Sequence, residues 1–268
     1  MIKELNSIRK NVRISRPVIH CITNPISITR CADVILSIGA RPMMAAHPHE
    51  VSEITASASA LLLNIGNISD ERMTSIKKSA ITAKNNGIPS VIDCVGVACS
   101  SLRRKFIIEL LSGYIPDIIK GNASEIAALC DPLYSCAGVD SEKMDISRVK
   151  NYAVMLSRKY GCTVQVSGKT DIVTDGKKLF SVNNGCPELG MVTGTGCMLG
   201  ALTACFLSQK DPVSAAICAC GVMGVCGELA EKDKGLGTFS VSLMDRISTL
   251  SDEDFEKLLK ITEFKNET

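Results

Sequence analysis

Residues 117–129 read Asp-Ile-Ile-Lys-Gly-Asn-Ala-Ser-Glu-Ile-Ala-Ala-Leu. The apolar run at 117–119 does not alternate with polar residues, which predicts a short strand buried on both faces. It ends in the polar residues Lys120 and Asn122, and helix-forming residues follow directly. Asn122 and Glu125 stand three apart, the spacing of a helix capping box. In an open α/β sheet the same position, just beyond the carboxyl end of a strand, is where ligands bind.

The strand-then-helix pattern recurs on both sides of this segment. Short apolar runs at 17–19, 42–45, 60–65, 89–93 and 163–166 predict further strands. Between them lie helical stripes: Ile28, Ala32, Val34, Ile35 and Ile38; Met73, Ile76, Ala80 and Ala83; Ile107, Leu110 and Leu111. This alternation predicts an α/β fold with a mostly parallel central sheet and helices on both faces. Residues 171–173 and 179–182 flank Asp175-Gly176, a hairpin signal that interrupts the alternation. Afterwards the chain reads as helical over 194–207, 212–230 and 240–250, with Ser251 as the N-cap of a charged segment and a tail that frays from Phe264 onward. With no internal repeat and no low-complexity segment, residues 1–268 are expected to form a single domain.

Composition narrows the function classes. Apolar residues make up 46% and charged residues 22%, enough to bury a large core, and the net charge is +2. No basic run exceeds Arg103, Arg104 and Lys105, so the footprint that nucleic-acid binding requires is missing. The first 17 residues alternate charged and apolar side chains instead of presenting the apolar segment of a secretory signal, and a cytoplasmic location is expected. Residues 215–227 are apolar but stop at Glu228, short of the roughly 20 residues that span a bilayer, and read as a buried core helix. The 13 cysteines show no CxxC pair or zinc-type spacing, and are expected to be reduced.

Chemistry concentrates in three places. Val192-Thr193-Gly194-Thr195-Gly196-Cys197 is a glycine-rich turn opening an apolar helix, so several unpaired N–H groups and the positive helix end converge there. Such a turn can hold a phosphate or a developing phosphoryl charge, though a plain flexible turn would carry the same glycines. Cys197 falls in the first turn, where the dipole is expected to lower a thiol pKa. Asp93 ends an apolar strand and, being buried, needs a cation, a hydroxyl or N–H groups as partner; with Glu125 it could hold Mg²⁺ largely through water. His20-Cys21-Ile22-Thr23-Asn24 leads into the first apolar helix, where Thr23 or Asn24 would serve as an ordinary N-cap.

Taken together, HCITN, RPMMAAHPHEV, IIKGNASEIAAL and MVTGTGCML, with VIDCVG and VQVSGKTDIVTDG between them, resemble the hydroxyethylthiazole kinase family in order and spacing from about residue 15 to 244. The resemblance implies a ribokinase-like three-layer sandwich. It also implies transfer of the ATP γ-phosphoryl group to the hydroxyl of 4-methyl-5-(2-hydroxyethyl)thiazole, with Mg²⁺ as cofactor. It further implies a homotrimer with thiazole sites at subunit boundaries. Carried over onto this sequence, it places Met44, Gly194 and Asn24 at the thiazole, Lys120, Ser167 and Asn122 at ATP, Asp93 and Glu125 at the metal, and Cys197, Gly194 and Gly196 at the reacting groups. Lys120 and Ser167 stand where the family usually has Arg and Thr, and a lysine offers phosphate a point charge without the guanidinium fork. Pro25, Cys94 and residues 186–191 also depart from the family pattern. Two other readings stay open: another ribokinase-like ATP enzyme, such as a hydroxymethylpyrimidine kinase or a hydratase-type repair enzyme, and a non-catalytic nucleotide-binding regulator.

Overall fold

A computed structural model describes residues 1–134, 144–209 and 211–264 of the chain. In chain order its elements are α1 (Ile2–Ser15), β1 (Val18–Ile22), α2 (Ile28–Ser37), β2 (Arg41–Met43), α3 (Val51–Ser57), β3 (Ala60–Asn64), α4 (Asp70–Asn86), β4 (Ser90–Asp93), α5 (Ser101–Gly113), β5 (Ile118–Asn122) and α6 (Ala123–Cys130). After these come α7 (Ile146–Tyr160), β6 (Thr163–Ser167), β7 (Asp171–Thr174), β8 (Leu179–Val182), α8 (Thr195–Leu207), α9 (Pro212–Leu229), α10 (Leu236–Thr249), α11 (Asp252–Leu258) and β9 (Ile261–Phe264).

The nine strands form one sheet in the order β2-β1-β3-β4-β5-β6-β7-β8-β9. The first six in that order pair in parallel and the last three are antiparallel. The non-alternating apolar runs are explained by burial on both faces. Leu62, Val91 and Ile118 enter the core beneath α1, α2, α8, α9 and α10, whereas their neighbours Leu61, Leu63, Ile92 and Ile119 enter the opposite core beneath α4, α5, α6 and α7. Successive side chains of a strand point to opposite faces, so a strand between two helical layers has no polar face to show.

Local chemistry sets the ends of the helices. The Ser69 hydroxyl accepts from the Arg72 N–H at the start of α4, and Gly87 closes that helix with φ 64°. Asp211 caps α9 with Pro212 at its first position. Ser251 caps α11 as its sequence indicates. The 175–176 turn forms as expected, with the Asp175 carboxylate accepting from the N–H groups of Lys177 and Lys178. Residues 215–227 are buried along α9. By length and composition α9 is apolar enough to cross a membrane, and its burial among other elements makes it the core helix of this fold.

Several boundaries differ from expectation. The N-terminal segment forms a 14-residue helix, because Leu5, Ile8 and Val12 share a stripe that packs into the core, although its charged residues mask that spacing. Residues 261–264 form β9, an edge strand on which Thr262 and Glu263 are both exposed although they point to opposite faces, so its pattern resembles a polar tail; Phe264 belongs to it, and residues 265–268 lie outside those described. Strand β2 ends at Met43, leaving Met44 beyond it, and β5 runs on through Lys120 to Asn122. Helix α10 starts four residues before Ser240.

Candidate active site

Strand register brings the chemistry together. Within the sheet Asn64 lies opposite Asp93, Asp93 opposite Lys120, and Asn122 opposite Ser167. All five are at the carboxyl ends of parallel strands, where the N-termini of α6 and α8 also arrive.

At the centre Lys120 Nζ lies 3.0 Å from Asp93 Oδ1. The pair is almost withdrawn from solvent, with side-chain exposures of 3% and 1%. Burial pushes the Asp93 carboxyl up, while the Lys120 ammonium and the Asn64 amide pull it back down. Burial likewise works against the Lys120 charge, yet Asp93 outweighs it and holds the ammonium above its ordinary range. Their 3.0 Å separation is that of an ion pair. Gly200 of α8 packs onto this pair: an added Cβ would lie 3.3 Å from Asp93 Oδ2. A mid-helix glycine, costly for helix formation, is thus accounted for by close approach.

Helix α8 begins at Gly194, whose φ of 91° lies in the left-handed region that glycine tolerates. A Cβ there would also meet Ser27 Cβ at 3.2 Å, whereas one on Gly196 would meet nothing within 4 Å, so the turn is open at Gly196. The first intrahelical bond runs from the Met198 N–H to Gly194, which leaves the preceding N–H groups without helical partners. Thr195 Oγ1 donates to the carbonyls of Leu189 and Val192 and so fixes the turn.

Cys197 is buried in that first turn and accepts a hydrogen bond at its sulfur from Asn64 Nδ2, 3.3 Å away. Burial, followed by the Asp93 charge, pushes its thiol above the ordinary range, against the downward pull of Ser27, Lys120 and Asn64. The lowered pKa expected from the helix end is thus corrected: a dry site beside a carboxylate opposes the thiolate.

Glu125 and Asn122 form the expected capping box on α6. Glu125 Oε2 accepts from the Asn122 N–H and Oε1 from the Gly96 N–H, both at 2.7 Å. Burial and then the Asp93 charge raise the Glu125 carboxyl to about 7. Because the folded chain binds this proton more tightly than the unfolded chain, whose ordinary value is 4.5, stability from this group is complete below about pH 4.5. It is lost as pH rises to about 7, by up to about 3 kcal/mol. Urea denaturation of the parent and Glu125→Gln across that window checks this, and a stability difference that does not change with pH would refute it.

Asn24 accepts from Asn67 Nδ2 at 3.1 Å and caps a short 3₁₀ turn at Pro25–Ser27. Met44 is half-buried just past the edge strand β2, next to Ala45, whose carbonyl accepts from His20 Nε2 at 3.0 Å. Ser167, half-buried at the end of β6, reaches the Gly121 carbonyl at 3.5 Å. The structure thus gathers Asp93, Lys120 and Cys197 into one cluster bonded through Asn64, with Glu125 beside it; Asn24 meets the turn after Asn64, Ser167 lies across the sheet from Asn122, and Met44 packs against the core on the α8 side. Sequence reasoning missed Asn64, Arg72 and Gly200. The polar end of the apolar run Ala-Leu-Leu-Leu-Asn at 60–64 was the available signal for Asn64.

A family model described as the hydroxyethylthiazole kinase family matches residues 9–253. Hydroxyethylthiazole kinase 2 of Clostridium botulinum strain Hall is 41% identical over 263 residues, covering 96% of this chain and 99% of that protein. A solved hydroxyethylthiazole kinase from Pyrococcus horikoshii superposes with a TM-score of 0.90 at 33% identity, covering 98% of this chain and all of its own. A ribokinase-like superfamily protein from Enterococcus faecalis, 14% identical, covers 88% of this chain and 87% of its own with a TM-score of 0.63, a likeness of fold alone.

Proposed function

The chain belongs to the hydroxyethylthiazole kinase family, and from that premise we propose that it transfers the ATP γ-phosphoryl group directly to the hydroxyl of 4-methyl-5-(2-hydroxyethyl)thiazole, forming the thiazole phosphate used to build thiamine phosphate. The observation that carries the reading is Cys197 in the open first turn of α8, beside the buried Asp93–Lys120 pair.

In this reading residues 1–268 form one kinase unit. Met44, Asn24 and Gly194 bound the thiazole, and Lys120, Asn122 and Ser167 face ATP. Unpaired first-turn N–H groups, freed of side chains at Gly194 and Gly196, stabilise the charge on the transferred group. The Cys197 thiol, kept protonated by burial and Asp93, orients the acceptor hydroxyl, and late in the transfer its sulfur takes the hydroxyl proton as its own S–H proton passes to an oxygen of the transferred phosphoryl group, which leaves the thiol as it began. Late proton loss suits the loose transition state of phosphoryl transfer, in which positioning outweighs base strength.

The donor set at Asp93 and Glu125 fits magnesium held through water. Each carboxylate oxygen already accepts one hydrogen bond and keeps a second lone pair that a magnesium-bound water could use. When bound, magnesium would neutralise charge on the ATP phosphates.

A screen of small alcohols, thiazole and pyrimidine alcohols included, for ATP- and Mg²⁺-dependent phosphorylation tests the reading. Preferential use of the thiazole alcohol is expected; preference for a pyrimidine alcohol would replace the substrate, and no phosphorylation would remove the kinase. The reading also carries a cytoplasmic homotrimer with sites at subunit boundaries. A monomer by light scattering that still phosphorylates the thiazole alcohol would sink it.

A further inference from the structure

Between β3 and α4 the chain turns through Asn64, Ile65, Gly66 and Asn67, and the buried Arg72 reaches back to hold that turn. Its Nη2 donates to the Asn64 carbonyl at 2.9 Å, and its Nη1 donates to the carbonyls of Asn67, at 2.7 Å, and of Gly66. Three carbonyls on one planar guanidinium leave the turn little freedom. Asn67 has a positive φ of 48°, and a Cβ on Gly66 would lie 2.5 Å from Asn24 Nδ2.

The Asn64 side chain is buried, and both its amide hydrogens and its amide oxygen are engaged. Nδ2 donates one hydrogen to Asp93 Oδ2 at 2.9 Å and the other to Cys197 Sγ at 3.3 Å, and Oδ1 accepts from the Gly66 N–H at 2.8 Å. The amide cannot be flipped, because that would turn its NH2 group against the Gly66 N–H, which only donates.

We propose that Asn64 is a positioning residue for phosphoryl transfer, fixing the Cys197 sulfur against the Asp93–Lys120 pair through an amide that the Arg72-anchored turn holds in one orientation. The inference rests on the kinase reading above. With one lone pair of the sulfur taken by Asn64, the S–H bond must turn away from that amide. Asn64 contacts no substrate in this account. Its influence passes through Cys197, where a misplacement of about 1 Å can cost about 100-fold in rate.

Asn64→Asp keeps the shape and the acceptor for Gly66 but removes both donated hydrogens; Asn64→Leu removes all three bonds. In the parent background we expect Asn64→Asp to lower kcat at least about tenfold with both KM values within about threefold. In a Cys197→Ala background the same substitution should cost less than about threefold. Equal losses in the two backgrounds overturn the proposal.

A second arm needs no turnover: iodoacetamide labelling at fixed pH, read by peptide mapping. An N–H donated to sulfur favours the thiolate, so labelling of Cys197 should slow at least about threefold in both variants. The exposed Cys99 should label at the parent rate, and Cys205, 0% exposed where Cys197 keeps 8%, should stay unlabelled if the variant is folded. An unchanged or faster Cys197 rate overturns the proposal. A parent that labels as expected but leaves the thiazole alcohol untouched would instead refute the kinase reading.

Discussion

Replacing Lys120 with methionine is expected to destabilise the fold by about 3–5 kcal/mol at neutral pH, because removing one partner of a buried ion pair leaves the other charge uncompensated. Asp93 is 1% exposed and its only cationic contact among the described residues is Lys120 Nζ, so the variant carboxylate must take up a proton or remain charged in a dry core. The loss should therefore shrink as pH falls and Asp93 is protonated, and grow as pH rises. Urea denaturation at pH 5 and pH 8 reads both the size and the slope. The double variant Lys120→Met/Asp93→Asn should recover much of the stability, since an uncharged pair requires no counter-charge. If the double variant is as unstable as the single one, or the loss does not depend on pH, the pair is not its source. The phosphotransfer reading adds that both variants lose turnover, because the pair lies under the first turn of α8 and Gly200 packs directly on it.

Cys197→Ala should lower turnover by about 100-fold, at the lower end of what a positioned acid–base group contributes. That corresponds to about 2.7 kcal/mol of transition-state stabilisation. Residual turnover is expected because the first-turn N–H groups belong to the backbone and survive the substitution. Cys197→Asp should retain more activity than the alanine variant, since a carboxylate can also orient the hydroxyl and accept its proton. The burial, and after it the neighbouring Asp93 charge, that raise the native thiol would raise an aspartate there too, so the activity of that variant should climb at higher pH than an isolated carboxylate would dictate. A covalent route through a phosphorylated sulfur makes the opposite forecast: the aspartate variant fails, and label from γ-labelled ATP stays on Cys197 when no thiazole alcohol is present. Persistent label on the parent would overturn direct transfer.

The local parts of this molecule were legible in its sequence. Alternating two-face-buried runs and helical stripes specify strands between helical layers, Asp175-Gly176 specifies its turn, and Asn122 with Glu125 specifies a capping box, because each depends on residues adjacent in the chain. The elements that escaped, α1 and β9, lie at the periphery, where one apolar stripe or one inward face suffices and charged neighbours obscure the period.

At the candidate site the division is the same. Sequence by itself determined that Asp93, Lys120, Asn122 and Glu125 end up at the carboxyl ends of parallel strands, since strand and helix boundaries place them there, and that Gly194 and Cys197 open an apolar helix. Tertiary structure alone decided what those groups do to one another. The register of β4 against β5 pairs Lys120 with Asp93, although the sequence resemblance had assigned one to ATP and the other to the metal. Gly200 lets α8 close onto that pair, and Asn64, from a third strand, ties Asp93 to Cys197. Burial then reverses the thiol pKa that the helix end alone would predict. Charge interactions fall off with distance and are screened by water, so they are set by which groups fold within a few ångströms of each other and how dry that place is, and neither quantity is written in the spacing of residues along the chain.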